Sequence, residues 1–198
     1  MILPNQLTIL RIVLTPVFLY LFISDDLLMK QISLVVFLVA ALSDWYDGWL
    51  ARKFNYITEW GKFMDPLADK ILTSAAFIGF ALVGLLEWWM VAIILVRDFI
   101  ITFLRIYADR KGLVFTTSFY AKWKTFFQMV FLYYLLIIYV GSVTPELNIE
   151  FGKVFQVLLD PELLYFIMLL ITIITIHSGL FYIYRNKEVI KKIFSWQN

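Results

Sequence analysis

Four aspartates in two short runs carry the chemistry this chain could do. Asp44 and Asp47 are followed directly by Gly48, with Ala51 and Arg52 one turn on, while Gly61, Asp65 and Asp69 recur at intervals of four. At about 100° per residue, the first set falls within an arc of about 140° on a helix, and the second advances by only about 40° per step to form one stripe. The connection from Lys53 to Trp60 is short, which predicts antiparallel neighbours with four carboxylates converging at one end. Uncompensated, such carboxylates repel one another. An oxygen-only ligand set without Cys or His suits Mg²⁺, Mn²⁺ or Ca²⁺ rather than zinc, and two such ions about 3.5–4 Å apart would form a clamp for phosphoryl transfer. Gly48, lacking a side chain, would let a ligand approach the backbone. The competing reading makes the aspartates interhelical partners of Arg52, Lys62 and Lys70.

The elements that must position these residues follow from composition. The 198 residues are 62% apolar, 19% aromatic and 16% charged, with a mean hydropathy of +0.83. Soluble domains are about 45–50% apolar and about 25% charged, so a soluble globular protein is excluded, as is a disordered chain. The absence of cysteine removes disulfides, thiolate nucleophiles and thiolate zinc sites, and a net charge of +2 is too small for a nucleic-acid field. Runs approaching the ~20 residues that cross a bilayer lie at about 7–23, 31–50, 63–86, 88–107, 119–140 and 163–184. Backbone groups unsatisfied in lipid are costly and no period-2 alternation appears, so the expected fold is an all-α integral membrane protein, a single six-transmembrane-helix bundle over 1–198. The first run has no basic flank or small-residue cleavage site and is read as a span rather than a signal peptide. All seven tryptophans fall near expected helix ends, where amphipathic rings favour the interface.

Basic residues set the orientation. Arg52, Lys53, Lys62, Arg105, Arg110, Lys111, Lys122, Lys124, Arg185, Lys187, Lys191 and Lys192 fall on one side of the six-span arrangement, against Lys30 and Lys153 on the other. Lys and Arg accumulate in cytoplasmic connections, which places both termini and the aspartate cluster on the cytoplasmic side. The stretch 141–162 becomes an acidic outer loop. Arg11, Asp44, Asp47, Asp65, Asp69, Lys70, Arg97 and Asp98 lie in or at the mouths of spans. A charge at a helix centre costs at least about 2.5–3.5 kcal/mol, which makes a functional or paired role the default. Ala75, Gly79 and Gly84 are small residues that permit close helix contact. His177, the one histidine, is read as a packing or hydrogen-bonding residue.

Written as a pattern, Asp44 to Asp69 is D-x2-D-G-x2-A-R-x8-G-x3-D-x3-D, and it resembles the signature of the CDP-alcohol phosphotransferase family. Its members transfer a substituted phosphate from a CDP-alcohol to a second alcohol and release CMP. The resemblance implies that Asp44, Asp47, Asp65 and Asp69 bind two divalent cations, most simply Mg²⁺ with Mn²⁺ as an alternative, and that Asp69 doubles as general base. It also implies that Asp44, Gly48, Ala51, Arg52, Thr58 and Gly61 shape the cytidine diphosphate pocket, and that the protein is a homodimer. Pro4 to Arg11, Arg97 to Arg105 and Lys122 to Met129 are similar to the members whose acceptor is glycerol 3-phosphate. Two positions depart from that pattern, with Asp98 in place of Glu and Ala121 in place of Gly.

A dianionic acceptor needs fixed cations, and arginine meets phosphate oxygens bidentately. Arg97 and Arg105 lie about 80° apart around a helix and about 12 Å along it, and Lys122 and Lys124 open the next span at the same depth. These four are the expected acceptor-phosphate residues; for the two lysines, simple cytoplasmic labelling is the alternative, and for Arg97, pairing with Asp44 or Asp98. The implied activity is transfer of phosphatidyl from CDP-diacylglycerol to sn-glycerol 3-phosphate at the cytoplasmic side of the inner membrane. Other acceptors, such as an inositol phosphate, phosphatidylglycerol or serine, are the nearest rivals. A divalent-cation transporter would use the same carboxylates, yet the outer halves of the second and third spans carry no polar path.

Overall fold

A computed structural model describes residues 3–54, 59–113, 115–116 and 119–195, with side chains described throughout except at 3–5, 44, 45, 47–52, 54, 59, 62 and 194. Among these residues the structure is all helical. The helices are α1 (Leu3–Ile23), α2 (Leu27–Phe54), α3 (Glu59–Leu82), α4 (Trp88–Arg110), α5 (Phe119–Val143), α6 (Pro145–Leu158), α7 (Pro161–Arg185) and α8 (Lys187–Ser195). Of the described helices, α1, α5 and α7 are both long and apolar enough to cross a membrane, while α2 contributes a shorter apolar stretch, Leu27–Ser43. The remaining long helices, α3 and α4, are interrupted by Asp65, Asp69 and Lys70 and by Arg97, Asp98 and Arg105. The helices least like simple membrane spans are those carrying the charged residues.

Local chemistry fixes the helix ends. Asp26 accepts the Met29 amide at 3.0 Å and Asp160 accepts that of Leu163 at 3.0 Å, so each caps a helix start. Pro145 and Pro161 occupy first-turn positions, where a missing N–H costs nothing. At the other ends, Gly84 (φ 78°) and Gly112 (φ 69°) adopt the left-handed conformation. The amides of Leu85 and Leu113 then reach back to Phe80 and Ala108 at 2.9 and 3.0 Å, closing Schellman turns. This corrects two expectations. The third helix stops at Leu82 rather than continuing to Leu86, and Gly84 closes a helix rather than admitting a neighbour. Gly79 does admit one, since an added Cβ would stand 2.8 Å from the Phe22 ring.

The apolar core sits at the end where α1, α3 and α5 terminate. Phe18, Phe22 and Phe37 are fully buried and form a chain of ring contacts with Phe80, Tyr133 and Tyr139, with centroids 5.0–6.2 Å apart. Helix α1 packs along both α2 and α3, whereas α2 and α3 touch each other only narrowly among the described residues. Helix α1 thus supplies most of the packing for both, with Thr8, Arg11 and Thr15 buried and the Thr8 hydroxyl on Asp65 of α3. A further correction concerns 141–162. Most of it is the amphipathic helix α6 rather than a loop.

Candidate functional site

Helix α3 presents the expected stripe. Gly61 is buried, Asp65 is half-buried and Asp69 is 38% exposed, so the stripe runs along one face towards solvent. Thr8 of α1 donates its hydroxyl to Asp65 Oδ1, which fixes that carboxylate's direction without neutralising it. Among the described residues Asp69 has one cationic neighbour, the Lys70 ammonium at 3.7 Å. The backbone of α2 carries Asp44, Asp47, Gly48, Ala51 and Arg52 in helical register, but their side chains, and all of Thr58, lie outside the described residues. Among the described residues no cluster of three metal-ligating side chains occurs, because the stripe supplies only two aspartates.

One turn deeper lies a charged cluster of another kind. Asp98 on α4 is 5% exposed, and its Oδ1 accepts from Arg97 Nη1 at 2.9 Å and from Lys124 Nζ of α5 at 2.6 Å. Its other oxygen accepts from Gln128 Nε2 at 3.3 Å and lies 3.9 Å from Lys70 Nζ of α3. Arg97 donates from Nη2 to Ser178 Oγ of α7 at 3.0 Å. Gly179 makes room for that reach, since a Cβ there would stand 3.1 Å from Arg97 Cγ. Three helices, α3, α4 and α5, therefore meet at one carboxylate, and Arg97 carries the link on to α7. Three cations against one anion leave the cluster with a formal surplus of two positive charges, +3 − 1 = +2.

The four expected acceptor-phosphate residues divide in two. Arg97 and Lys124 are inside this cluster, Lys124 with a fully buried side chain. Arg105 and Lys122 are exposed and make no ion pair or hydrogen bond among the described residues. Lys122 and Lys124 are two residues apart, about 200° around α5, so one points out and the other in. Lys70 joins the two regions by lying between Asp69 and Asp98. The alternative of Arg97 pairing with Asp98 is met at 2.9 Å, but sequence reasoning missed Thr8, Gln128 and Ser178. Single hydroxyls and amides on apolar helices carry no signal until the helix pairing is known. His177 behaves as expected, with Nδ1 3.2 Å from the Tyr120 hydroxyl and the two rings edge-to-face.

At the same end, an apolar cavity of about 490 Å³ opens between α3, α4 and α8, lined by Phe63, Ile100, Phe103, Tyr107 and Ile193. Arg110 stands at its polar edge, its guanidinium 4.4 Å from the Phe63 ring centre.

The chain matches the CDP-alcohol phosphatidyltransferase family over residues 1–176. It is 36% identical over 140 residues to the CDP-diacylglycerol–glycerol-3-phosphate 3-phosphatidyltransferase of Bacillus subtilis, covering 65% of this chain and 72% of that one. It is 39% identical over 131 residues to a probable phosphatidylglycerophosphate synthase of Mycobacterium tuberculosis, covering 65% of this chain and 62% of that one. A Rickettsia bellii protein, also described as a CDP-diacylglycerol–glycerol-3-phosphate 3-phosphatidyltransferase, is 32% identical over 176 residues, 89% of this chain and 92% of its own length. Enzymes of this kind are membrane-bound and generally use divalent metal ions. With its carboxylate stripe on α3 and a match that spans seven of the eight described helices in whole or part, the chain belongs to the CDP-alcohol phosphatidyltransferase family.

Proposed function

We propose that the chain is a phosphatidylglycerophosphate synthase, transferring phosphatidyl from CDP-diacylglycerol to sn-glycerol 3-phosphate with release of CMP. The observation that carries this reading is the solvent-facing stripe of Asp65 and Asp69 on α3, in a chain whose relatives are described as doing this reaction. The rival reading as an ion path is not supported. Beyond the charged end, α1, α2, α3 and α5 close on buried phenylalanines, and a desolvated cation would meet no ligand there.

The donor set fits a hard divalent cation. Asp65 and Asp69 are oxygen donors on one helix face, Asp65 is aimed by Thr8, and Asp69 is open to solvent. Asp44, Asp47, Asp65 and Asp69 would hold two such ions, Mg²⁺ or Mn²⁺, which when bound neutralise charge on the diphosphate. Asp69 then takes the proton from the attacking hydroxyl, as an exposed carboxylate within reach of a diffusing acceptor can. Asp44, Gly48, Ala51, Arg52, Thr58 and Gly61 shape the cytidine diphosphate pocket. Arg105 and Lys122, exposed and without partners among the described residues, meet the acceptor phosphate, while Arg97 and Lys124 contribute the surplus positive charge of the Asp98 cluster from below. The acyl chains of the donor lipid lie in the apolar cavity beside Phe63 and Arg110.

In this reading 1–198 is one membrane domain of six spans, with α6 and α8 outside the count, both termini and the site on the cytoplasmic side of the inner membrane, and two copies forming a homodimer. The basic connections support that orientation. The test is to incubate purified protein with CDP-diacylglycerol, Mg²⁺ and each candidate acceptor in turn. CMP release with glycerol 3-phosphate and not with inositol phosphate, phosphatidylglycerol or serine is the expected result, and release with another acceptor alone would overturn the acceptor assignment.

A further inference from the structure

We infer that α6 is an in-plane membrane helix, whose partner is the lipid surface on the face of the bilayer opposite the carboxylate stripe. The argument is geometric. Helix α6 joins two helices that are long and apolar enough to span, α5 and α7, through Thr144 alone at one end and Leu159–Asp160 at the other. At 1.5 Å per residue its 14 residues are about 21 Å long. The second connector reaches at most about 11 Å, so both ends of α6 are held at the ends of spans and the helix cannot stand up from the membrane. Contacts with α5 set its depth. The Phe155 ring packs where a Cβ on Gly141 would sit, 3.1 Å away, and the Tyr134 hydroxyl donates to the Leu158 carbonyl at 2.6 Å. Helix α6 therefore lies across the last turns of α5 rather than above them.

Its sequence fits that position. Leu147, Phe151, Val154, Phe155 and Leu158 fall within an arc of about 100°, with the charged residues on the remainder. Phe155 is used against α5, yet Leu147, Phe151 and Val154 are 43%, 44% and 51% exposed. No residue of α6 is buried, so the protein leaves that edge uncovered. At the depth fixed by Gly141 and Tyr134, the boundary between headgroups and acyl chains is the surface that meets it. Ile149, on the opposite side, is 88% exposed and should face water.

The chain has no cysteine, so a single cysteine carries a probe without background. Val154→Cys and Ile149→Cys, each labelled with an environment-sensitive fluorophore, are reconstituted in phosphatidylcholine vesicles containing shallow spin-labelled lipid. The probe at 154 should be quenched by the lipid label at least about threefold more than the probe at 149, with aqueous iodide giving the reverse order. Leu147→Cys repeats the measurement on the same edge and should agree with 154, which guards against local misfolding. Equal quenching of 149 and 154 by iodide would overturn the inference. So would shielding of 154 from both quenchers, which would mean that protein, such as a second copy of the chain, covers the edge.

Discussion

Asp69 and Asp98 are the same residue type, linked through one lysine, and their surroundings give them opposite uses. Asp98 is 5% exposed and meets Arg97, Lys124, Gln128 and Lys70, so its charge is spent on holding three helices together. Asp69 is 38% exposed with one ammonium at 3.7 Å, so its lone pairs remain available to a ligand. A carboxylate ringed by donors is structural, and one left short of donors can react. Position along the helix decides which is which. The stripe on α3 meets Thr8 of α1 at Asp65 and solvent at Asp69, whereas Asp98 faces Lys70 of α3 and Lys124 and Gln128 of α5.

The sharpest way to break this comparison is to neutralise each carboxylate in turn. Asp69→Asn should abolish CMP release, a loss of at least about 10³-fold in turnover, while the unfolding temperature in detergent stays within a few degrees of wild type. Asp98→Asn should do the reverse in kind, stranding Arg97 and Lys124 and costing about 3–5 kcal/mol of stability, read by thermal unfolding. Asp98→Glu keeps the charge and should recover most of that stability. An Asp98→Asn protein as stable as wild type would remove the distinction.

A smaller effect separates the two halves of the acceptor set. Arg105→Ala should raise the apparent constant for glycerol 3-phosphate by about 10- to 100-fold, as expected for a lost charge-assisted contact, with the constant for CDP-diacylglycerol nearly unchanged. Arg105→Lys should recover only part, because an ammonium keeps the charge and loses the fork. Unchanged glycerol 3-phosphate kinetics in Arg105→Ala would move the acceptor elsewhere. Smallest is the packing contrast at the apolar end. Gly79→Ala drives a methyl to 2.8 Å from the Phe22 ring and should cost about 1–3 kcal/mol, measured by unfolding, with the KM values unaltered.

Much of this organisation was legible before any coordinates. The period of 3.6 placed Gly61, Asp65 and Asp69 on one face, and the starts of α4 and α5 fell at Trp88 and Phe119 as expected from the apolar runs. What was not legible depends on contacts between helices. The pairing of Asp98 with its neighbour Arg97 was legible, but its partners Lys70, Lys124 and Gln128 come from α3 and α5, and nothing in the spacing along one helix records a neighbour. Thr8 was hidden for the same reason, and α1's place against both α2 and α3 is set by tertiary packing. Helix α6 was missed because hydropathy over a span-length window averages its apolar edge with Glu146, Glu150 and Lys153 and reads a polar loop. Gly84 was misread because a small residue and a left-handed helix stop look alike in sequence.

The claim that the α3 stripe, and not the Asp98 cluster, receives the metal can be measured without turnover. Mn²⁺ binding to purified protein, followed by the loss of its free-ion paramagnetic resonance signal, should show about two ions per chain in the wild type and in Asp98→Glu. Asp65→Asn, which keeps Thr8 and the fold but withdraws one carboxylate, should bind fewer ions or bind them far more weakly. If Asp65→Asn bound Mn²⁺ with the stoichiometry and affinity of the wild type, the assignment of the stripe as the metal site would be contradicted.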